Sequence, residues 1–132
     1  MRWGEPRFTK DIDLTLLTGF ENEESYVDAL LDRFDSRRAD MREFALKNRV
    51  LLLKSAKGYP IDIALGALPF EAMAVKRGSF YEYADDISLR TCSAEDLIVM
   101  KAFADRGRDW VDIEGIIIRQ EYSVWLFPVK HF

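Results

Sequence analysis

Apolar and polar residues alternate through KDIDLTLL, and this period of two predicts a first strand over residues 10–17, ended by Gly19. On such a strand Asp11 and Asp13 share one face, and Ile12 and Leu14 share the other, where they are expected to anchor the strand in the core. The period then changes. Tyr26, Val27, Leu30, Leu31 and Phe34 recur at helical spacing and predict a helix over 23–35. Phe44 and Leu46, followed by the apolar run 50–53, predict two more extended segments, the second over 49–55. Ala56-Lys57-Gly58 then separates that segment from YPIDIALG. Two apolar runs around a short glycine-bearing break predict a β-hairpin, with Gly58 taking positive φ in the turn. A short helix is expected over 69–76, and short strands or loop over 79–91.

The last third carries a helical pattern. Ser93 is followed three residues later by Asp96, an acidic cap pattern ahead of LIVMKAF. Gly107 separates that helix from a second, DWVDIEGIIIRQ. The tail, EYSVWLFPVKHF, is aromatic and without helical period, and no structure is assigned to it. No repeat or low-complexity linker interrupts the chain. The order of strand, helix, strands and helices predicts an α+β fold with α/β-type layers, a mixed sheet packed against helices and a C-terminal helical pair.

Composition narrows the function classes. A chain of 132 residues, 48% apolar and 13% aromatic, is expected to fold as a single domain with its own core. Nineteen basic against 23 acidic residues give a net charge of −4, which excludes a global basic footprint for nucleic acid and leaves room only for a local patch. Cys92 is alone, so no internal disulfide forms, and a reduced compartment fits. The apolar runs stop well short of a membrane span. Glu5, Lys10 and Asp11 break any signal-peptide pattern. The expected setting is the cytoplasm, with no membrane partner.

The chemistry concentrates in the acids. Asp11 and Asp13 project side by side and repel each other, and a divalent cation turns that cost into a binding site. A D-x-D alone is common, and acids on a half-exposed strand are usually just solvated. Asp62, between Ile61 and Ile63 on a second expected strand, shifts the balance, because aspartate is disfavoured in strands and both sites break local propensity. Three carboxylates converging from neighbouring strands can hold two Mg²⁺ ions. Lys101 is the other outlier. It is the one charge in the stretch 97–104, where Leu97, Met100 and Ala104 share its face, so it must snorkel out or meet an anion. Asp109 has a simple capping role open to it. Asp112 is placed to pair with Arg108, and Arg106 and Arg108 read best as solvated loop residues. His131 and Cys92 show no metal-ligand spacing.

W-G-x-P-R-x-T-x-D-I-D-L resembles the first acidic motif of polymerase-beta-like nucleotidyltransferases. The likeness is closer still to the small prokaryotic branch related to the AbiE-type toxin and other toxin–antitoxin nucleotidyltransferases. That branch carries a glycine, an arginine, a serine or threonine and then D-x-D; here these are Gly4, Arg7, Thr9, Asp11 and Asp13. The later I-D-I at Asp62 resembles the third metal-binding acid. SAEDLIVMKAFADRGRDWVDI resembles the branch's C-terminal motif, a lysine followed by an arginine-and-aspartate cluster. The resemblance spans about residues 1–119. It implies a nucleotidyltransferase fold and transfer of a nucleoside monophosphate from an NTP to a hydroxyl on RNA, protein or a small molecule. It further implies Mg²⁺ on Asp11, Asp13 and Asp62, with Arg7 and Thr9 near the site. Lys101 would lie on phosphate, and Asp109 would match the acidic position after the lysine. The implied partners are an NTP, tRNA or a cognate antitoxin or toxin protein, and a second copy of the chain.

One departure matters. The superfamily carries a glycine pair on a helix start before the first acidic strand, where backbone amides cradle the triphosphate. This chain has only Gly4 there, and Met1-Arg2-Trp3 is expected to be the end of the missing helix. A truncated copy and a scaffold that has lost catalysis both account for this. The rival to an active transferase is therefore a catalytically impaired binding or assembly module, with the aromatic tail (Trp125, Phe127, Phe132) covering a groove or a partner.

Overall fold

The structure, a computed structural model, describes Arg2, Trp3 and residues 12–120. Arg7, Thr9 and Asp11, and the tail after Gln120, lie outside the described residues. The chain divides into two compact units: one holds residues 12–76, the other residues 77–120 with Arg2 and Trp3.

In the first unit the elements run β1 (Ile12–Leu17), α1 (Glu23–Arg33), β2 (Asp35–Ser36), α2 (Met41–Asn48), β3 (Val50–Lys54), β4 (Pro60–Gly66) and α3 (Pro69–Arg77). The four strands form one sheet in the order β1-β4-β3-β2. β1 lies parallel to β4, and the other two pairings are antiparallel, so the sheet is mixed as expected. β3 and β4 form the expected hairpin. Gly58 sits in its turn at φ 86°, a conformation glycine adopts without steric cost.

Alternation gives the sheet two unlike faces. Leu51, Leu53, Ile61, Ile63 and Leu65 point to one side and are buried with Val27 of α1 and with Met41 and Ala45 of α2. Asp13, Asp62 and Lys54 point to the other. Phe44 and Leu46 belong to α2 rather than to a strand, a correction to the sequence reading. Their two-residue spacing imitates alternation, but Met41 and Ala45, four apart, are the residues that α2 buries. Arg49 ends that helix in the left-handed region at φ 58°, its amide closing on the Ala45 carbonyl at 2.8 Å.

The anchoring role expected of Ile12 and Leu14 is also corrected. They remain 45% and 52% exposed, and of their face only Leu16 packs on the buried cluster. The reason is position. Among the described residues β1 is at the edge of the sheet, and the buried cluster is drawn from α1, α2, β3 and β4.

The second unit holds β5 (Ser79–Ala84), β6 (Ile87–Thr91), α4 (Ala94–Ala104) and α5 (Gly107–Arg119). β5 and β6 pair antiparallel, and α4 and α5 form the expected helical pair. Arg2 and Trp3, expected in a helix, are not helical. The Arg2 guanidinium donates to Ser79 Oγ and Thr91 Oγ1 at 2.9 and 2.7 Å, and Trp3 Nε1 donates to the Cys92 carbonyl at 2.8 Å. These bonds tie the two residues to the hairpin. Burial pushes the Cys92 thiol up from its ordinary pKa, consistent with an inert rather than a reactive cysteine. Ser93 caps α4 as read from the sequence, its Oγ accepting from the Asp96 amide at 3.1 Å. No described helix is long and apolar enough to cross a membrane.

Candidate functional site

Two of the three proposed metal-binding acids fall within the described residues, and the sheet brings them together. Asp13 on β1 stands directly opposite Asp62 on β4 in the parallel register. Neighbouring strands lie about 4.8 Å apart, so two such side chains on one face are within reach of a single small cation. The backbone under Asp62 is firmly held, because Ile61 and Ile63 on either side are buried. Opposite Asp62 on its other flank lies Leu52 of β3. Among the described residues no group of three or more metal-ligating side chains gathers, and Asp11 is not one of those residues. Two hard carboxylate donors nonetheless suit Mg²⁺, which commonly takes one or two protein carboxylates and completes its shell with water and substrate phosphate.

A cation already stands at this pair. Arg37, just past β2, forms an ion pair with Asp62 through Nη2. The Arg37 amide donates to the Leu52 carbonyl at 2.9 Å, which fixes its backbone to β3 beside Asp62. Sequence reasoning missed this residue. β2 is only two residues long and carries no periodic signal, so nothing in DSRRAD indicated which face Arg37 would take.

The ends of β1 and β4 are held by polar contacts of their own. The amides of Thr18 and Gly19 both donate to the Gly66 carbonyl, at 3.0 and 3.1 Å. Arg49 donates to the Leu65 and Gly19 carbonyls and pairs with Glu23. The amide environment of the α1 N-terminus, helped by Arg49, lowers the Glu23 pKa. Gly66 is closely approached: a Cβ there would meet Glu71 Oε2 and Thr15 Cγ2 at 3.0 Å, so one of these side chains would have to shift. Glu71 is itself engaged, accepting the Ala67 and Leu68 amides through Oε1 at 3.2 and 3.0 Å.

In the second unit Lys101 meets an anion, and that anion comes from its own chain. Its Nζ donates to Asp112 Oδ2 at 2.9 Å and lies 3.6 Å from Asp109 Oδ1. The lysine side chain is 15% exposed and the two carboxylates 8% and 1%, so the three form a nearly buried charge cluster between α4 and α5. Asp109 also caps α5, accepting the Arg106 amide at 3.2 Å, while the Arg106 Nε donates to it at 2.7 Å. The Arg106 guanidinium, more than the nearby lysine, holds the Asp109 carboxyl below the usual aspartate range. Asp112, read from sequence as a partner for Arg108, is thus engaged by Lys101. A second buried acid, Asp96, receives both arms of the Arg77 fork at 3.0 and 2.7 Å.

The first unit thus presents a mixed sheet with two facing acids, and the second a helical pair enclosing a lysine between two aspartates. The family model for the nucleotidyl transferase AbiEii toxin of type IV toxin–antitoxin systems matches residues 1–123, and the chain belongs to this family. Membership relates it to nucleotidyl transferases and to toxin–antitoxin pairs, and points to an antitoxin protein as a partner. No curated protein matches the chain.

Proposed function

We propose that the protein is a Mg²⁺-dependent nucleotidyltransferase that moves a nucleoside monophosphate from an NTP to a hydroxyl group. The opposition of Asp13 and Asp62 on one sheet face carries this reading, together with membership of the nucleotidyl transferase family. Asp11, Asp13 and Asp62 would hold the metal, which supplies Lewis acidity to the acceptor oxygen and to the triphosphate. The acids' own work is to fix donors on a rigid strand pair, so that the acceptor meets the α-phosphorus in line. The new P–O bond forms as the bond to the β-phosphate oxygen breaks. Pyrophosphate leaves, and the hydroxyl proton passes to a carboxylate of the acid set. Arg7, Thr9 and Lys101 would contact the nucleotide. Asp109 and Asp112 hold the Lys101 ammonium between α4 and α5.

The test is transfer of label from α-labelled NTPs, with Mg²⁺, to tRNA or to a candidate antitoxin protein. Label should appear with the wild-type chain and fall to background in Asp13→Ala and in Asp62→Ala. Labelling that survives both substitutions would remove the mechanism.

A second reading, a binding or assembly module without turnover, is favoured by the apolar side chains that α4 and α5 leave exposed. Val99, Val111 and Ile118 are about half to two-thirds exposed, and Phe103 is 92% exposed. It predicts an antitoxin complex that forms equally well with Asp13→Ala.

A further inference from the structure

We propose that Arg37 is the resident counter-ion of the acidic pair, displaced from Asp62 when a divalent cation binds and then engaging a phosphate of the nucleoside triphosphate. The inference rests on the nucleotide-transfer reading above.

Three observations carry it. First, Arg37 is placed by backbone rather than by its ion pair. Its amide is bonded to the Leu52 carbonyl, and Leu52 is the register partner of Asp62, so the arginine stays beside the acid when the pair opens. Second, the pair is open to solvent. The Arg37 and Asp62 side chains are 31% and 37% exposed, and ion pairs in contact with solvent are weak enough to exchange for a stronger ligand. A divalent cation on Asp62 and a guanidinium on the same carboxylate compete for one negative charge. Third, cations lie beside the acid pair on the same face. Lys54 follows Leu52 on that face of β3, and its register partner on β2 is Asp35, so the flank toward β2 carries Arg37 and Lys54 with one acid opposite the lysine.

The charge order across the face is therefore acids on β1 and β4, then Lys54 on β3 and Arg37 just past β2, with Asp35 of β2 opposite the lysine. A metal-bound triphosphate needs that order: carboxylates toward the metal, cations toward the phosphate oxygens that the metal leaves uncovered. Arginine suits the second role, because its planar fork matches two phosphate oxygens at once. The ion pair with Asp62 keeps the acid pair partly neutralised until substrate arrives, which lowers the repulsion between Asp13 and Asp62.

The full chain and Arg37→Gln are titrated with Mn²⁺ by calorimetry. Each is then titrated, at saturating Mn²⁺, with a non-hydrolysable nucleoside triphosphate analogue. The two affinities should move in opposite directions: Mn²⁺ tighter by about fivefold in R37Q, as a surface counter-ion is removed, and the analogue weaker by about tenfold, as a charged hydrogen bond is lost. Arg37→Lys keeps the charge and loses the fork. It should leave Mn²⁺ affinity near wild type while still weakening the analogue, and it carries the test should R37Q fail to fold. Wild-type Mn²⁺ binding with no tightening in R37Q, or analogue binding undiminished in R37Q and R37K, overturns the role of Arg37 and leaves the transferase reading standing. Absence of Mn²⁺ binding in both wild type and R37Q overturns the metal reading and the inference with it.

Discussion

The buried acids show what a single residue contributes in this chain. Asp109 is 1% exposed, and a carboxylate in that position is tolerated only because Arg106, the α5 cap and Lys101 all meet it. Its folded pKa lies below the unfolded value. Its contribution to stability is therefore complete above the ordinary aspartate value and disappears as pH falls through the depressed folded one. Acid titration should destabilise the α4–α5 pair progressively below about pH 4. Asp109→Asn should be less stable at neutral pH but lose less on acidification, and thermal melts followed by circular dichroism at stepped pH will read both slopes. At this scale the sequence was informative wherever a residue broke its local pattern. Asp62 interrupts a core strand and Lys101 an apolar helix, and each has a partner of opposite charge. Arg37 breaks no pattern. Its role depends on which strand lies beside which, and that is a property of the pairing rather than of its neighbours in sequence.

Elements were legible when a cap, a turn glycine or a long period marked them. The Ser93 cap is such a mark. Ser93→Ala removes the hydroxyl that accepts from the Asp96 amide and should cost about 1 kcal/mol, measured as a lowered urea midpoint with an unchanged slope. The hairpin of β3 and β4 was equally plain, because Gly58 falls between two runs of strand length. α2 was misread for a physical reason: eight residues offer barely two turns, too few for the helical period to outweigh the accidental alternation of Phe44 and Leu46. The strand β1 was found, but its burial was not. Alternation tells which residues share a face. It does not tell whether anything covers that face, and at the sheet edge Ile12 and Leu14 remain exposed.

At the scale of the molecule, the order β1-β4-β3-β2 is the fact with the widest reach. The neighbours β3 and β4 are joined by a five-residue turn, from Ser55 to Tyr59, whereas β1 finds its partner only after two helices and two strands have been laid down. Loop closure over so long a segment is slow compared with closing a hairpin. The register partners Asp13 and Asp62 come from the two sides of that late closure. Pulse-labelled hydrogen exchange during refolding should therefore protect the amides of 50–54 and 60–66 before those of 12–17. Simultaneous protection would show a single concerted step. In the sequential case the acids are unable to face each other in any partly folded chain. On the proposed reading, a partly folded chain would then assemble no metal site until β1 had docked.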